Sequence, residues 1–279
     1  MKVSPLDDFF DLSIPLRFGA DQPNVYGVDQ SASKPCEYGN FVGDTRLGGS
    51  VNFEEYRFIP HCNGTHTECV GHITEERISV RDCLRDVFSE SLLVSVKPEN
   101  AIESGENYPY EVESRDEFVT HVNLENAISN TLMNHGTETN GREKIRPDGV
   151  AFNPRSLIIR TLPNDNSKLT RRYDKPVPPF FSNDAIAYVV ESGFKHLLVD
   201  LPSIDRLYDD GMLSNHRIFW AVEPESRTLN RDSRRESTVT ELIYVPDEIK
   251  DGRYILNLQI APFEADAAPS RPVLFNSSQ

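Results

Sequence analysis

The chain has 279 residues, 29 basic and 44 acidic side chains, and a formal net charge of −15 at pH 7. A surface of that sign repels a phosphate backbone, which selects basic patches, so nucleic-acid binding by bulk charge is excluded. No apolar run approaches the roughly 18 residues of a membrane-spanning helix, and a content of 38% hydrophobic and 26% charged residues suits a soluble globular protein with no membrane partner.

The opening segment, Met1 to Pro15, carries one Lys, three Asp and no continuous apolar stretch, so no secretory signal is read there and a cytoplasmic location is expected. Four cysteines, Cys36, Cys62, Cys69 and Cys83, are too few for a disulfide framework at this length. Cys69 and Cys83 read as buried small hydrophobes, and a reducing cytosol argues against a Cys62–Cys69 disulfide. The segment richest in chemistry follows: His61-Cys62-Asn63-Gly64-Thr65-His66-Thr67-Glu68-Cys69-Val70-Gly71-His72. It holds three of the seven histidines, beside two cysteines and a glutamate, and these side chains are the usual ligands of zinc and related ions. Residues two apart share a face of an extended segment, so an unbroken strand presents Cys62, His66, Glu68 and His72 together; Gly64 and Gly71 stand against its being unbroken. Solvated loop histidines are the plainer alternative. Tyr26, Phe53 and Tyr56, upstream, suit either an aromatic substrate pocket or the core.

Further along, Leu92 to Val96, Leu157 to Thr161, Leu197 to Asp200 and Leu242 to Val245 read as mostly buried strands. Residues 99–149 form a polar, Asn- and Glu-rich insert with a modest helical pattern around Val122 to Leu132. Residues 182–193 read as a helix, with Ile186, Val189 and Val190 at helical spacing, Ser182 or Asn183 as cap and Gly193 as its end. Arg227, Arg231, Arg234 and Arg235 fall in a loop near 226–237, read as solvated, with recruitment of an anionic substrate as the alternative. Leu256, Leu258 and Ile260 alternate with Asn257 and Gln259, as in a strand with one wet face. Strand, helix, strand is an α/β signature, and residues 1–279 read as a single domain.

The chemical segment resembles the signature His-x-Gly-Thr-His-x-Asp-x-Pro-x-His of the cyclase family, which includes bacterial kynurenine formamidases and related metal-dependent hydrolases. Gly64-Thr65-His66, Glu68 and His72 keep its spacing. Asp11-Leu12-Ser13-Ile14-Pro15-Leu16 is similar to the family's opening strand, and Ile159-Arg160-Thr161 to the strand before its substrate loop. Val199-Asp200-Leu201-Pro202-Ser203-Ile204-Asp205 resembles its Gly-x-Asp-x-x-Ser-x-Asp turn. Asn215-His216-Arg217 and Thr240-Glu241-Leu242 are similar to the regions of its second metal-binding His and Glu. The sequence departs where the family's first His falls on Cys62, with His61 one residue early, and where its Asp and Pro are Glu68 and Val70.

The resemblance implies an α/β fold of the swivelling β/β/α type and a homo-oligomer, dimer or tetramer, that takes a small-molecule substrate. It implies a hydrolase cleaving an amide-type C–N bond, in an arylformamide or cyclic amide, with metal-activated water. Cys62, His66 and Glu68 then hold one divalent ion, and His216 and Glu241 a second, bridged by Glu68. His72, as general base or proton shuttle, and Glu241 are the implied catalytic residues. A thiolate at Cys62 favours zinc over manganese. The alternative is a non-catalytic cyclase-fold protein that binds a small molecule or a metal. His121, His135 and His196 have no ligand-like neighbours and read as surface or structural residues.

Overall fold

The computed structural model describes residues 9–134, 138–140, 143–145, 153–174 and 176–276. Nine strands make the principal sheet: β1 (Phe9–Asp11), β2 (His66–Glu68), β3 (Phe88–Val96), β4 (Ser156–Thr161), β5 (His196–Val199), β6 (Thr238–Glu241), β7 (Gly252–Asn257), β8 (Ala267–Pro269) and β9 (Val273–Asn276). Their order is β1-β9-β7-β3-β4-β5-β6-β2-β8. The centre, β3 through β6, is parallel, and every outer pairing is antiparallel. This is the expected mixed α/β class.

The apolar runs are continuous because the central strands are covered on both faces. Leu92, Val94, Leu157, Ile159, Leu197 and Val199 join one core cluster. Leu93, Ile158 and Leu198, the alternate residues, join a second on the other face with Leu12, Ile243 and Leu256. Helices cover the first face. The longer ones are α2 (His121–Asn134), α3 (Asn183–Glu191) and α4 (Ser214–Trp220), while the short turn α1 (Pro60–Asn63) lies apart from that face. In α3, Ser182 is the cap: its Oγ accepts from the Ala185 N–H at 3.0 Å, and Gly193 follows the helix at φ 81°.

Two sequence expectations shift. The fourth run, Leu242 to Val245, is not a strand: the strand precedes it and ends at Glu241, Leu242 takes the left-handed φ of 54°, and Ile243 keeps a single bridge to Ser13. The polar stretch after Glu99 is no appendage through residue 134. Its helix α2 buries Leu124, Ile128 and Leu132 in the main core, and Glu106 accepts at 2.7 Å from the His121 N–H at the helix start. His135 lies outside the described residues. In the arginine-rich loop, Arg227, Arg231 and Arg235 are exposed, as a solvated loop requires. Arg234 instead donates to the carbonyls of Phe219 (2.6 Å) and Phe194 and lies over the Phe219 ring, so it fastens the loop to the end of α4. No described helix is long and apolar enough to cross a membrane.

Candidate metal centre

The site grows from β2, held between β6 and β8. His66 and Glu68 project from one face and Thr67 from the other, where its hydroxyl meets that of Thr240 at 2.8 Å. Glu241 lies directly opposite His66 in the register, which puts its carboxylate on the same face, with Oε2 3.4 Å from His66 Nε2. Thr65, before β2, ties this edge to the N-terminal segment: its hydroxyl accepts from the Ile14 N–H at 2.7 Å and donates to the Leu242 carbonyl.

The segment on either side of β2 is not extended, and this decides which residues reach the site. Pro60 opens the turn α1, and in a helical turn successive side chains point about 100° apart. His61 therefore faces Glu68, its Nδ1 3.1 Å from Oε2. Cys62 turns away into an apolar cluster with Val25, Tyr173, Leu207 and Leu242. Burial, with the charge of Glu241, pushes its thiol up to about 11. Cys62, expected as the first ligand, thus packs away from the cluster, and His61 is the residue of the pair whose ring nitrogen faces Glu68. After β2 the chain makes a turn of 3-10 helix, Val70–Ile73, which brings His72 back over the cluster. Gly71 permits this turn, since a Cβ there would lie 2.2 Å from the Ile78 carbonyl oxygen.

Three buried atoms in this cluster, His61 Nδ1, His66 Nε2 and Glu68 Oε2, make no well-aligned hydrogen bond, although the first and third lie 3.1 Å apart and the second lies 3.4 Å from Glu241 Oε2. The three residues offer ligand atoms within 4.8 Å of one another. The far nitrogens explain their orientation. His66 Nδ1 lies 3.1 Å from the Gly64 carbonyl, which can only accept, so the proton sits on Nδ1 and the Nε2 lone pair faces inward. His61 Nε2 likewise meets Asp266 Oδ2 at 3.0 Å. Two imidazoles and a carboxylate with converging atoms are a fitting donor set for a divalent ion. Buried polar atoms left unpaired otherwise cost about 1–3 kcal/mol each.

A second set adjoins the first. His216, on α4, has Nε2 2.8 Å from Glu68 Oε1 and 3.7 Å from Glu241 Oε1, and Glu68, His216 and Glu241 again offer atoms within 4.8 Å of one another. Asp205 fixes His216 from behind, accepting from its ring Nδ1 at 2.5 Å and its backbone N–H at 3.1 Å. Burial disfavours charge on both His216 and Glu68. The carboxylates of Glu68 and Asp205 nevertheless hold the His216 ring well above its ordinary range, and His72, His216 and His61 hold Glu68 well below its own. Burial is likewise outweighed at His61, which Asp266 and Glu68 push up to about 10. His72 completes the group, its Nδ1 3.3 Å from Asp266 Oδ2 and its ring centroid 4.4 Å from that of His61.

Of the residues expected at the site, His66, Glu68, His72, His216 and Glu241 converge and Cys62 does not. Asp205 and Asp266 carried no assigned role in the sequence. Asp205 stands in the quoted turn motif, whereas Asp266 lies 194 residues from His72 with no motif around it. His196 has a structural place, between Thr238 Oγ1 (2.8 Å) and Asp86 Oδ2 (2.9 Å). Tyr26, Phe53 and Tyr56 are half-exposed and not core; Tyr26 stands edge-on to Tyr208, with Glu241 among the charges that act on its hydroxyl.

The family model described as "Putative cyclase" matches residues 10–206. No curated protein matches the sequence. Among solved structures, a protein described as a potential metal-dependent hydrolase with cyclase activity superposes at a TM-score of 0.57 and 14% identity, covering 97% of this chain and 99% of its own. A predicted metal-dependent hydrolase from Bacillus stearothermophilus gives 0.56 and 13%, covering 97% and 98%. Isatin hydrolase A from Labrenzia aggregata gives 0.58 and 12%, covering 97% and 94%.

Proposed function

Because the chain belongs to the cyclase family, as the match over residues 10–206 shows, we propose that it is a metal-dependent hydrolase cleaving an amide-type C–N bond in a cyclic amide or arylformamide. The observation that carries this reading is the convergence of three buried atoms without well-aligned hydrogen bonds from His61, His66 and Glu68. Glu68, His216 and Glu241 support a second ion, with Glu68 shared between the two. A divalent ion there supplies Lewis acidity toward a carbonyl and lowers the pKa of water to about 7. With Cys62 outside the cluster the donors are all nitrogen and oxygen, so the preference for zinc that a thiolate imposes loses its basis and manganese fits as well.

The chain's own residues orient and move the proton. Glu241 is steadied by the Ile204 N–H, which donates to its Oε1 at 3.0 Å, and closes the cluster opposite His66. His72 is partly open, with 28% of its side chain exposed, whereas His66 and His216 are buried. That access supports the reading in which His72 takes the proton of an attacking water and returns it to the leaving nitrogen, as an imidazole can. The isatin hydrolase neighbour favours a cyclic amide as the first substrate to try.

Turnover of isatin and of formylkynurenine by zinc- and manganese-loaded protein tests the reading. The expected result is hydrolysis of at least one, with His72→Ala keeping its metal and losing about 10²–10⁴-fold in kcat. Metal-loaded protein inert toward formamides, esters and lactams alike would leave a binding protein instead. We also propose a homo-oligomer. Between and on the paired strands Ala32–Pro35 and Glu54–Arg57, the side chains of Tyr38, Leu47, Phe53 and Tyr56 are exposed, which supports contact with a second copy. Light scattering is expected to give a dimer or tetramer; a monomer at all concentrations contradicts it.

A further inference from the structure

One oxygen, Asp266 Oδ2, faces two histidines. It lies 3.0 Å from His61 Nε2 and 3.3 Å from His72 Nδ1, and the two rings are tilted by 33° with centroids 4.4 Å apart. The backbone fixes this carboxylate to the site. The Asp266 carbonyl accepts from the Cys69 N–H at 3.0 Å, next to Glu68, and Ala267 begins β8 directly opposite Glu68. Asp266 thus moves with the strand that carries Glu68 and with the turn that carries His72. We propose that Asp266 is a positioning residue that sets the tautomers of both histidines at once, turning His61 Nδ1 toward the ion site and leaving His72 Nε2 free for the substrate.

The chemistry follows from what each group has to give. An ionised carboxylate only accepts, and a neutral imidazole carries one N–H, so an N–H directed at Asp266 leaves the opposite nitrogen with a bare lone pair. For His61, which must give up its second proton for an ion to bind, that nitrogen is Nδ1, the atom beside Glu68. For His72 it is Nε2. His61, His72 and Asp266 also lie close enough to hold an ion as a set. Asp266 Oδ2, however, is already shared between the two ring nitrogens, and its side chain is 39% exposed, unlike the buried donors of the first set. A ligand histidine and a proton-transfer histidine that share one acceptor are aligned by a single residue from the far end of the chain.

The proposal rests on the hydrolase reading, so its test separates the two. Histidine-labelled full-length protein, Asp266→Ala and Asp266→Asn are compared by long-range nitrogen–proton correlation, at a pH where the His72 ring is neutral, without metal and with zinc. Zinc affinity is measured by competition with a chromophoric chelator. The expected result is Nδ1-protonated His72 in the parent protein and a mixture of tautomers in Asp266→Ala. Zinc binding should weaken about 10–100-fold, the usual effect of losing such a partner. Asn, whose amide oxygen still accepts, restores part of both. Unchanged His72 tautomer and unchanged zinc affinity in both variants overturn the proposal. If the parent protein binds no zinc, the hydrolase reading fails, while the metal-free tautomer comparison still decides the role of Asp266.

Discussion

His61 and Cys62 are neighbours in sequence and point to opposite environments, one to Glu68 and the other to Val25 and Leu207. Replacing each therefore separates ligand from packing. His61→Ala is expected to lose metal affinity by more than the roughly 10–100-fold that removing a supporting partner costs. Cys62→Ala should keep the metal and lose about 1 kcal/mol of stability, the ordinary cost of trimming a small buried side chain. Calorimetric titration with zinc checks both; equal loss in the two variants contradicts the assignment. Family spacing and strand alternation both select Cys62, whereas Pro60 starts a helical turn that brings the His61 ring to Glu68 instead. His66 and Glu68 were legible because their stretch of three residues is a strand, where period-2 reasoning holds. Asp266 was not, since its partners lie 205 and 194 residues away and only the pairing of β8 with β2 brings them together.

Among the elements, the central strands were legible because burial on both faces leaves an unbroken apolar signature. The end of β6 was not, because the left-handed turn at Leu242 leaves no trace in an apolar run. At the start of β5, His196 accepts from the Thr238 hydroxyl through Nδ1 and donates through Nε2 to Asp86. Burial holds its pKa down at about 4, against an ordinary value of 6.5. The unfolded chain binds a proton as the pH falls below 6.5, and the folded chain does so only near 4, so stability drops across that window. The drop reaches about 3 kcal/mol at its acid end. Denaturant unfolding between pH 7 and 4 should show this slope, and His196→Gln should flatten it; an identical slope in the variant contradicts the assignment.

Across the molecule, the polar stretch after Glu99 and the candidate metal centre are joined by a chain of hydrogen bonds. The Tyr108 hydroxyl donates toward Asp205 at 3.0 Å and accepts from the Arg206 N–H at 3.0 Å, and Asp205 holds His216. Arg206, paired with Asp116 at 2.8 Å and Glu113 at 2.9 Å, fastens the same stretch to the same turn. Polar composition marked these residues as an insert, yet their hydrogen bonds reach inward, which composition does not register. Tyr108→Phe is expected to cost about 1–2 kcal/mol of stability, the range for a lost buried hydrogen bond. It should also weaken zinc binding, and unchanged affinity would show that Asp205 holds His216 unaided. The central claim is that His61, His66 and Glu68 together hold an ion, and elemental mass spectrometry of untagged protein beside its His66→Ala variant tests it most directly. One or two equivalents of zinc or manganese, lost in the variant, is the predicted result. No metal in either protein after reconstitution would contradict it.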